Sequence, residues 1–185
     1  MFVTSCSPGP NNIVASYSGF NFGVLKTIPH MCGVIFGFTT LVTIMNFGLV
    51  NVFQKYPIIQ EILKYTGTLF LIYLAYKISF SKTSLDSEKR NPVKFIETFF
   101  FQFINPKSVI VSVIMVSTYV DRSNDFLFYS FWVIGVAFLF AIISINFWTL
   151  VGKFLRRFAT NEKFIKRFNY VMSLLLLACI ATFYL

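Results

Sequence analysis

The chain has 185 residues, of which 56% are hydrophobic and 12% are charged, with a formal net charge of +9. Soluble domains carry roughly 25% charged residues, and a soluble fold of this size could not bury so much apolar surface. The composition therefore excludes an ordinary soluble domain and indicates an integral membrane protein.

Apolar segments follow one another along the whole chain, and a helix needs about 20 such residues to cross a bilayer. Residues 1–25 are charge-free but rich in Ser, Asn, Gly and Pro, which predicts an irregular first span. Further spans are predicted at 31–50, 65–80, 95–104 together with 108–120, 126–151 and 168–185. Lipid offers backbone groups no outside partner, and these runs are too long for barrel strands. We therefore predict an all-α membrane protein with about six transmembrane helices.

The basic residues divide unequally between the loops that six spans would create. One side would hold Lys26, Lys77, Lys82, Lys89, Arg90, Lys94, Lys153, Arg156, Arg157, Lys163, Lys166 and Arg167. The other side would hold only Lys55, Lys64 and Arg122. Cytoplasmic loops carry the excess of basic residues, so we expect the first side to face the cytoplasm and both chain ends to lie outside. The protein is then a multi-pass protein of the plasma membrane.

Basic loops of this kind anchor the topology and contact anionic lipid, and they are too short to form a stacking surface for nucleic acid. The expected partners are the lipid bilayer and a small-molecule substrate, with no nucleic acid, while homo-oligomerisation is left open. Cys6, Cys32 and Cys179 are scattered, and His30 lies at a predicted span boundary. The spans contain no cluster of His, Asp and Glu and no Walker A pattern. We therefore expect no catalytic residue, no metal site and no cofactor, and we do not expect an enzyme.

Two segments interrupt the apolar pattern in corresponding places, at 7–12 and at 105–107. Each opens one half of the chain, and two further spans follow it. With three spans in each half, the second half enters the membrane from the opposite face, which is the sequence sign of an inverted repeat. We expect one membrane domain over 1–185, with repeat one at about 1–80, a basic loop at about 81–94 and repeat two at about 95–185.

The chemistry of the breaks favours a binding site. Pro8 and Pro10 remove helical hydrogen bonds, and Gly9 lets the backbone turn where other residues would be strained. Asn11 and Asn12 can bond freed backbone groups or a polar ligand. A helix N-terminus carries partial positive charge and free N–H donors, so it suits a carboxylate.

The second break, at Asn105 and Pro106, adds Lys107, and an ionisable residue at membrane depth is a candidate for function. Gln102 precedes this break and is expected to face the pathway. Two simpler interpretations stay open: both breaks are mere kinks, and Lys107 lies at the interface.

Glu97 is either interfacial or a proton-coupling group. Gly33 and Gly37 form a small-xxx-small pair, which favours close helix packing.

These residues resemble the LysE/RhtB family of amino-acid exporters. The segment 7–12 reads Ser-Pro-Gly-Pro-Asn-Asn, close to the family signature, and 103–107 reads Phe-Ile-Asn-Pro-Lys, similar to a second family motif. The resemblance implies a secondary transporter that exports amino acids or related small solutes from the cytoplasm, driven by an ion gradient. It implies a substrate site at Pro8, Gly9, Pro10, Asn11, Asn12, Gln102, Asn105, Pro106 and Lys107.

The signature lies nearer the N-terminus here than in relatives, because only 1–6 precede Ser7. Six helical residues extend about 9 Å, whereas the hydrocarbon core is ~30 Å thick. We therefore expect the first span to reach only part-way across the membrane. The alternative functions are a truncated, non-transporting copy or membrane scaffold and, from the wider superfamily, a metal-ion exporter.

Overall fold

The computed structural model describes residues 8–81, 92–120 and 125–184. In these ranges the chain is helical and contains no strand. The helices are α1 Pro10–Ile44 with a π-helical extension Met45–Leu49, α2 Val50–Lys55, α3 Pro57–Ser79, α4 Phe95–Ile104, α5 Pro106–Tyr119, α6 Phe126–Leu155 with a 3-10 turn Arg156–Phe158, and α7 Glu162–Ala181.

Four of the described helical segments are long and apolar enough to cross a membrane. The α4–α5 pair, bent by 63°, makes a fifth if the two helices are counted as one broken span. The all-α membrane class is therefore confirmed. The count of six spans and the inverted repeat remain predictions.

Helix α1 is a hairpin with its bend at Gly23, where φ is 77° and ψ is 173°. The bend separates a first arm, 10–22, from a second arm, 24–44. His30 Nε2 lies 3.4 Å from the carbonyl oxygen of Asn11, whereas 19 residues of straight helix would separate them by about 28 Å. The arms therefore pack antiparallel. The first arm is about 20 Å long, short of the ~30 Å hydrocarbon core.

The first arm lies against α6 through two glycines. A Cβ placed on Gly19 would collide with the backbone carbonyl of Thr149, and a Cβ placed on Gly152 would collide with that of Ser16. Small residues let helices in lipid approach until their backbones touch. The hairpin and α6 consequently form the most extensive helix packing in the structure.

The second arm lies against α4 through the predicted glycine pair. A Cβ on Gly33 would lie 2.6 Å from the carbonyl oxygen of Phe95, and a Cβ on Gly37 would lie 2.7 Å from that of Phe99. The same Cβ on Gly37 would come within 2.8 Å of Gln102 Cγ. The packing role predicted for this glycine pair is confirmed, and Gly37 leaves room for Gln102.

Polar and aromatic contacts join the helices at the end of the bundle where the hairpin bends. Asn21 donates to Asn169 over 2.9 Å, and Asn169 donates to the Ser81 hydroxyl over 3.0 Å. The Arg156 guanidinium lies 5.5 Å from the centre of the Phe20 ring. We call this the basic end, since the described helices carry these basic residues close to it: Lys26, Lys77, Lys94, Lys153, Arg156, Arg157, Lys163, Lys166 and Arg167. Lys82, Lys89 and Arg90 lie outside the described residues.

The opposite end, here called the far end, contains a cluster of apolar side chains. Leu41 and Met45 from the end of the hairpin pack there with Phe53 of α2 and with Val109 and Val116 of α5. Helix α5 therefore runs from the middle of the bundle to the far end, whereas the first arm runs from the middle to the basic end.

Replacing Gly152 by Val should destabilise the protein, because the added side chain would meet the Ser16 carbonyl. Overpacking of this kind costs about 1–3 kcal/mol. Gly135 on the same helix is the matched control, because a Cβ there meets no atom within 4 Å. Thermal unfolding of the purified protein in detergent should show a lower Tm for Gly152→Val and an unchanged Tm for Gly135→Val. Equal Tm values would mean that the α1–α6 contact tolerates a wider separation.

Candidate substrate-binding site

The two sequence breaks have the same local structure. Gly9 is extended, with φ −143° and ψ 173°, and Pro10 is the first helical residue of α1. Asn105 is also extended, with φ −85° and ψ 106°, and Pro106 is the first residue of α5. Proline suits this position because its missing N–H would have no partner within the helix. Each break is thus the N-terminus of a helix; Ser7 of the first motif lies outside the described residues.

The two N-termini meet in the middle of the bundle. The backbone N–H groups of a first helical turn have no partner within the helix, and the aligned peptide dipoles place partial positive charge there. Asn105 also caps its helix, since its side-chain oxygen accepts from the Lys107 N–H over 3.2 Å. Because α1 and α5 leave this point toward opposite ends of the bundle, both positive ends face the same central space.

That space is a cavity with about 540 Å³ of atom-free volume, including its open mouth. Small-molecule sites commonly have volumes of ≈ 300–1,000 Å³. The predicted site residues that line it are Gly9, Pro10, Asn11, Asn12, Gln102, Asn105 and Lys107. Pro8 is exposed, and Pro106 is half-buried at the start of α5; neither lines the cavity.

Asn11 and Gln102 form a reciprocal amide pair across the two halves of the chain. Asn11 donates to Gln102 Oε1 over 2.8 Å, and Gln102 donates to Asn11 Oδ1 over 3.1 Å. Gln102 also donates to the Thr98 carbonyl over 2.9 Å and accepts from the Ser108 hydroxyl over 3.0 Å. Gln102 is fully buried, so its polar groups depend on these partners.

Lys107 lies over the first break. A Cβ placed on Gly9 would be 2.8 Å from Lys107 Nζ and 2.9 Å from its Cδ. Glycine at this position therefore lets the lysine chain cross the N-terminus of α1. The half-buried ammonium group and two helix N-termini together make this part of the cavity electropositive.

Two other polar residues that the sequence analysis considered have defined surroundings. The sequence placed His30 at a span boundary, whereas the structure places it within the second arm, which begins at 24, and buries it to 1% exposure. Glu97 accepts from the Lys94 N–H over 3.0 Å and lies 3.7 Å from Lys77 Nζ. These contacts suit the interfacial interpretation of Glu97, and the choice between that and a proton-coupling group stays a prediction.

Comparison with known proteins is decisive for the family. The model of the LysE type translocator family matches residues 2–184. The chain belongs to this family. Its members are transporters, so this LysE-type chain is a multi-pass membrane transporter and not an enzyme. No solved structure matches it.

Curated relatives of this LysE-type chain include proteins named cysteine/O-acetylserine efflux protein. Those of Escherichia coli O139:H28 (strain E24377A / ETEC), Escherichia coli (strain K12) and Shigella sonnei (strain Ss046) are each 30% identical over 184 residues. Each alignment covers 96% of this chain and 90% of the relative.

The two LysE-type motifs contain only some of the residues that line the cavity. The other lining residues are Val34, Phe38, Ser108, Val111, Phe140, Ala141, Ser144 and Ile145. Ser144 donates to Asn12 Oδ1 over 3.3 Å, which joins α6 to the first motif. Most of these residues are apolar and lie in apolar helices, so the sequence pattern does not distinguish them from residues that face lipid. Ser108 follows the second motif directly and could have been included by extending it one residue.

Replacing Gln102 by Leu should destabilise the protein. The change leaves the Asn11 amide and the Ser108 hydroxyl without this partner, and each unsatisfied buried group costs about 1–3 kcal/mol. Gln60→Leu is the matched control, since exposed Gln60 makes only a 3.1 Å bond to the Phe53 carbonyl. Thermal unfolding of the purified protein in detergent should show a lower Tm for Gln102→Leu and an unchanged Tm for Gln60→Leu. Equal Tm values would mean that the bonds of Gln102 do not stabilise the fold.

Proposed function

We propose that this LysE-type transporter exports a small neutral amino acid from the cytoplasm and is driven by an ion gradient. The curated relatives are named for efflux of cysteine and O-acetylserine. Both compounds carry an α-carboxylate, an α-ammonium group and a short side chain without net charge. The cavity supplies a complementary surface for each of these three parts.

The observation that carries the proposal is the meeting of Lys107 with two helix N-termini at one point of the cavity. A carboxylate placed there would face the ammonium group and first-turn N–H groups from both halves of the chain. Asn11 and Asn12 line the same wall, and their side-chain oxygens suit an α-ammonium group. This assigns substrate contacts to the two sequence motifs.

The rest of the cavity favours a short, uncharged side chain. Val34, Phe38, Val111 and Phe140 contribute apolar surface, and the described lining residues include no Asp or Glu. A lysine or arginine side chain would bring a second positive charge beside Lys107 with no carboxylate to meet it. A neutral amino acid avoids this repulsion.

Movement of the two halves would open the site to each side in turn. The Asn11–Gln102 pair, the Asn12–Ser144 bond and the Gly9–Lys107 contact all cross between 1–80 and 95–185. In inverted-repeat transporters, alternating access is largely rocking of one repeat against the other around a midplane site. Breaking and remaking these three contacts is the corresponding motion in this chain.

The orientation should place the basic end of the bundle in the cytoplasm, because the described basic residues concentrate there. A reporter fused after Leu185, active only outside the cytoplasm, should then be active. The same reporter fused within the basic loop 82–91 is the matched control and should be silent. A silent C-terminal fusion with an active loop fusion would reverse the proposed orientation.

Replacing Lys107 by Ala should abolish export with little loss of protein from the membrane, because the change removes the cation that faces the carboxylate. Lys107→Arg should rescue poorly, since the planar guanidinium is larger than an ammonium group. Lys64→Ala, at a half-buried position of α3 outside the cavity wall, is the matched control for losing one basic residue. Efflux of labelled cysteine from preloaded cells, with membrane levels checked by blot, measures the effect. Normal efflux by Lys107→Ala would make Lys107 a topological anchor.

A further inference from the structure

We propose that His30 binds the proton whose return into the cell drives export, and that Asn11 links this proton site to the substrate site. The inference rests on the proposed export function and assigns its coupling ion and carrier. His30 is the single histidine of the chain. It is also the one ionisable residue among the fully buried polar side chains that the structure describes.

The hydrogen bonds around the ring provide the first argument. His30 Nδ1 lies 3.0 Å from Thr98 Oγ1, and His30 Nε2 lies 3.4 Å from the Asn11 carbonyl oxygen. The Thr98 hydroxyl can turn its hydrogen to the Lys94 carbonyl, 3.1 Å away, or to His30 Nδ1. The ring therefore keeps both bonds as the imidazolium, which donates from both nitrogens, and as the neutral tautomer with its hydrogen on Nε2.

The charges around the ring provide the second argument. The ionisable side chains on the described helices around it are Tyr17, Lys26 and Cys32 on α1, Lys94 and Glu97 at the start of α4, Lys107 and Tyr119 on α5, Tyr129 and Lys153 on α6, and Glu162, Lys163, Lys166, Arg167, Tyr170 and Cys179 on α7. Within the described part of the chain, the one ion pair joins Glu97 to Lys77, and His30 takes part in none. A buried cation without a carboxylate is costly. The hydrogen bonds serve both the charged and the neutral ring while burial opposes the charged one, which suits a group that gains and loses a proton.

The path to water follows from the neighbours. Asn11 lines the cavity, and Lys94 is exposed at the start of α4, so the ring lies between the cavity and the surface at the basic end. When the site is open to the outside, the Nδ1 lone pair takes a proton from hydronium and leaves water. When the site is open to the cytoplasm, the Nδ1–H returns that proton to a water molecule.

Asn11 joins the two sites because one residue serves both. Its carbonyl accepts from His30, and its side chain pairs with Gln102 beside the cavity. A substrate that bonds the Asn11 amide must displace Gln102 and shift this turn, which weakens the bond to Nε2. Substrate binding should therefore release the proton, and by linkage a bound proton should weaken substrate affinity, by roughly fivefold or more.

The test compares two modes of transport in proteoliposomes with labelled cysteine, kept reduced. Exchange across the membrane needs no net proton movement, whereas uphill accumulation needs an imposed pH gradient. His30→Gln should keep exchange and lose gradient-driven accumulation. Thr27→Val is the matched control: it removes hydroxyl bonds to Ser18 and to the Gly23 carbonyl in the same hairpin, over 2.9 and 2.7 Å, neither of which involves the ring, and it should keep both activities. Wild-type accumulation by His30→Gln would overturn the proposal, whereas absence of exchange in the wild type would instead overturn the export function.

A measurement on the wild type decides the question if His30→Gln fails to fold. Because the chain has one histidine, ¹⁵N-histidine labelling gives a single imidazole signal set, provided that the purification tag contains no histidine. The proposal expects an imidazolium spectrum at low pH that changes to one neutral tautomer when cysteine is added at constant pH. A ring that stays neutral from pH 5 to pH 9, with and without cysteine, would overturn it.

Discussion

The amide pair between Asn11 and Gln102 is the contact on which the central site depends. Lipid offers no partner to a buried polar group, so the amides of a membrane-embedded site must satisfy one another, the protein or a ligand. The two residues come from opposite halves of the chain and bond reciprocally over 2.8 and 3.1 Å. This pair holds the halves together where both helices begin, and a solute can replace it only by offering comparable hydrogen bonds. In the proposed site, the same bonds would thus hold the two halves together without substrate and favour a polar substrate.

Glycines set the distances that make this pair feasible. Gly33 and Gly37 bring the second arm against the α4 backbone, and Gly37 makes room for the Gln102 side chain. Gly19 and Gly152 bring the first arm equally close to α6. Without the hydrophobic effect to drive helices together in lipid, close backbone packing and interhelical hydrogen bonds supply the attraction. The site is therefore positioned by residues that line none of it.

The sequence predicted the features that depend on local backbone chemistry. Proline and glycine at 8–10 and at 106 indicated where helices begin, and the structure places Asn11 and Lys107 at one cavity as a result. The apolar residues that line the cavity, such as Val34, could not be predicted. Lipid and the protein interior select the same residue types, so the sequence does not show which apolar residues face the cavity.

The predicted position of His30 at a span boundary was wrong, because the sequence does not show where the helix begins. The charge-free run began at 31, but the helix begins directly after the bend at Gly23. Charge marks where a chain leaves lipid, whereas backbone conformation decides where a helix starts. Partners at long separation in sequence, such as Thr98 for His30, become visible only in three dimensions.

The charge of the substrate decides how much free energy the proposed export could draw from the membrane potential. A neutral amino acid carries no net charge, so in exchange for one proton the membrane potential acts on the proton alone. Each 100 mV then contributes about 2.3 kcal/mol, and since 1.4 kcal/mol corresponds to tenfold, this supports a concentration ratio of roughly fortyfold. A cationic amino acid moving outward would cancel this contribution. The lack of acidic residues in the described cavity wall and the position of His30 outside the ion pair that the structure describes therefore suit one arrangement, in which the substrate contributes no charge and the proton carries all of it.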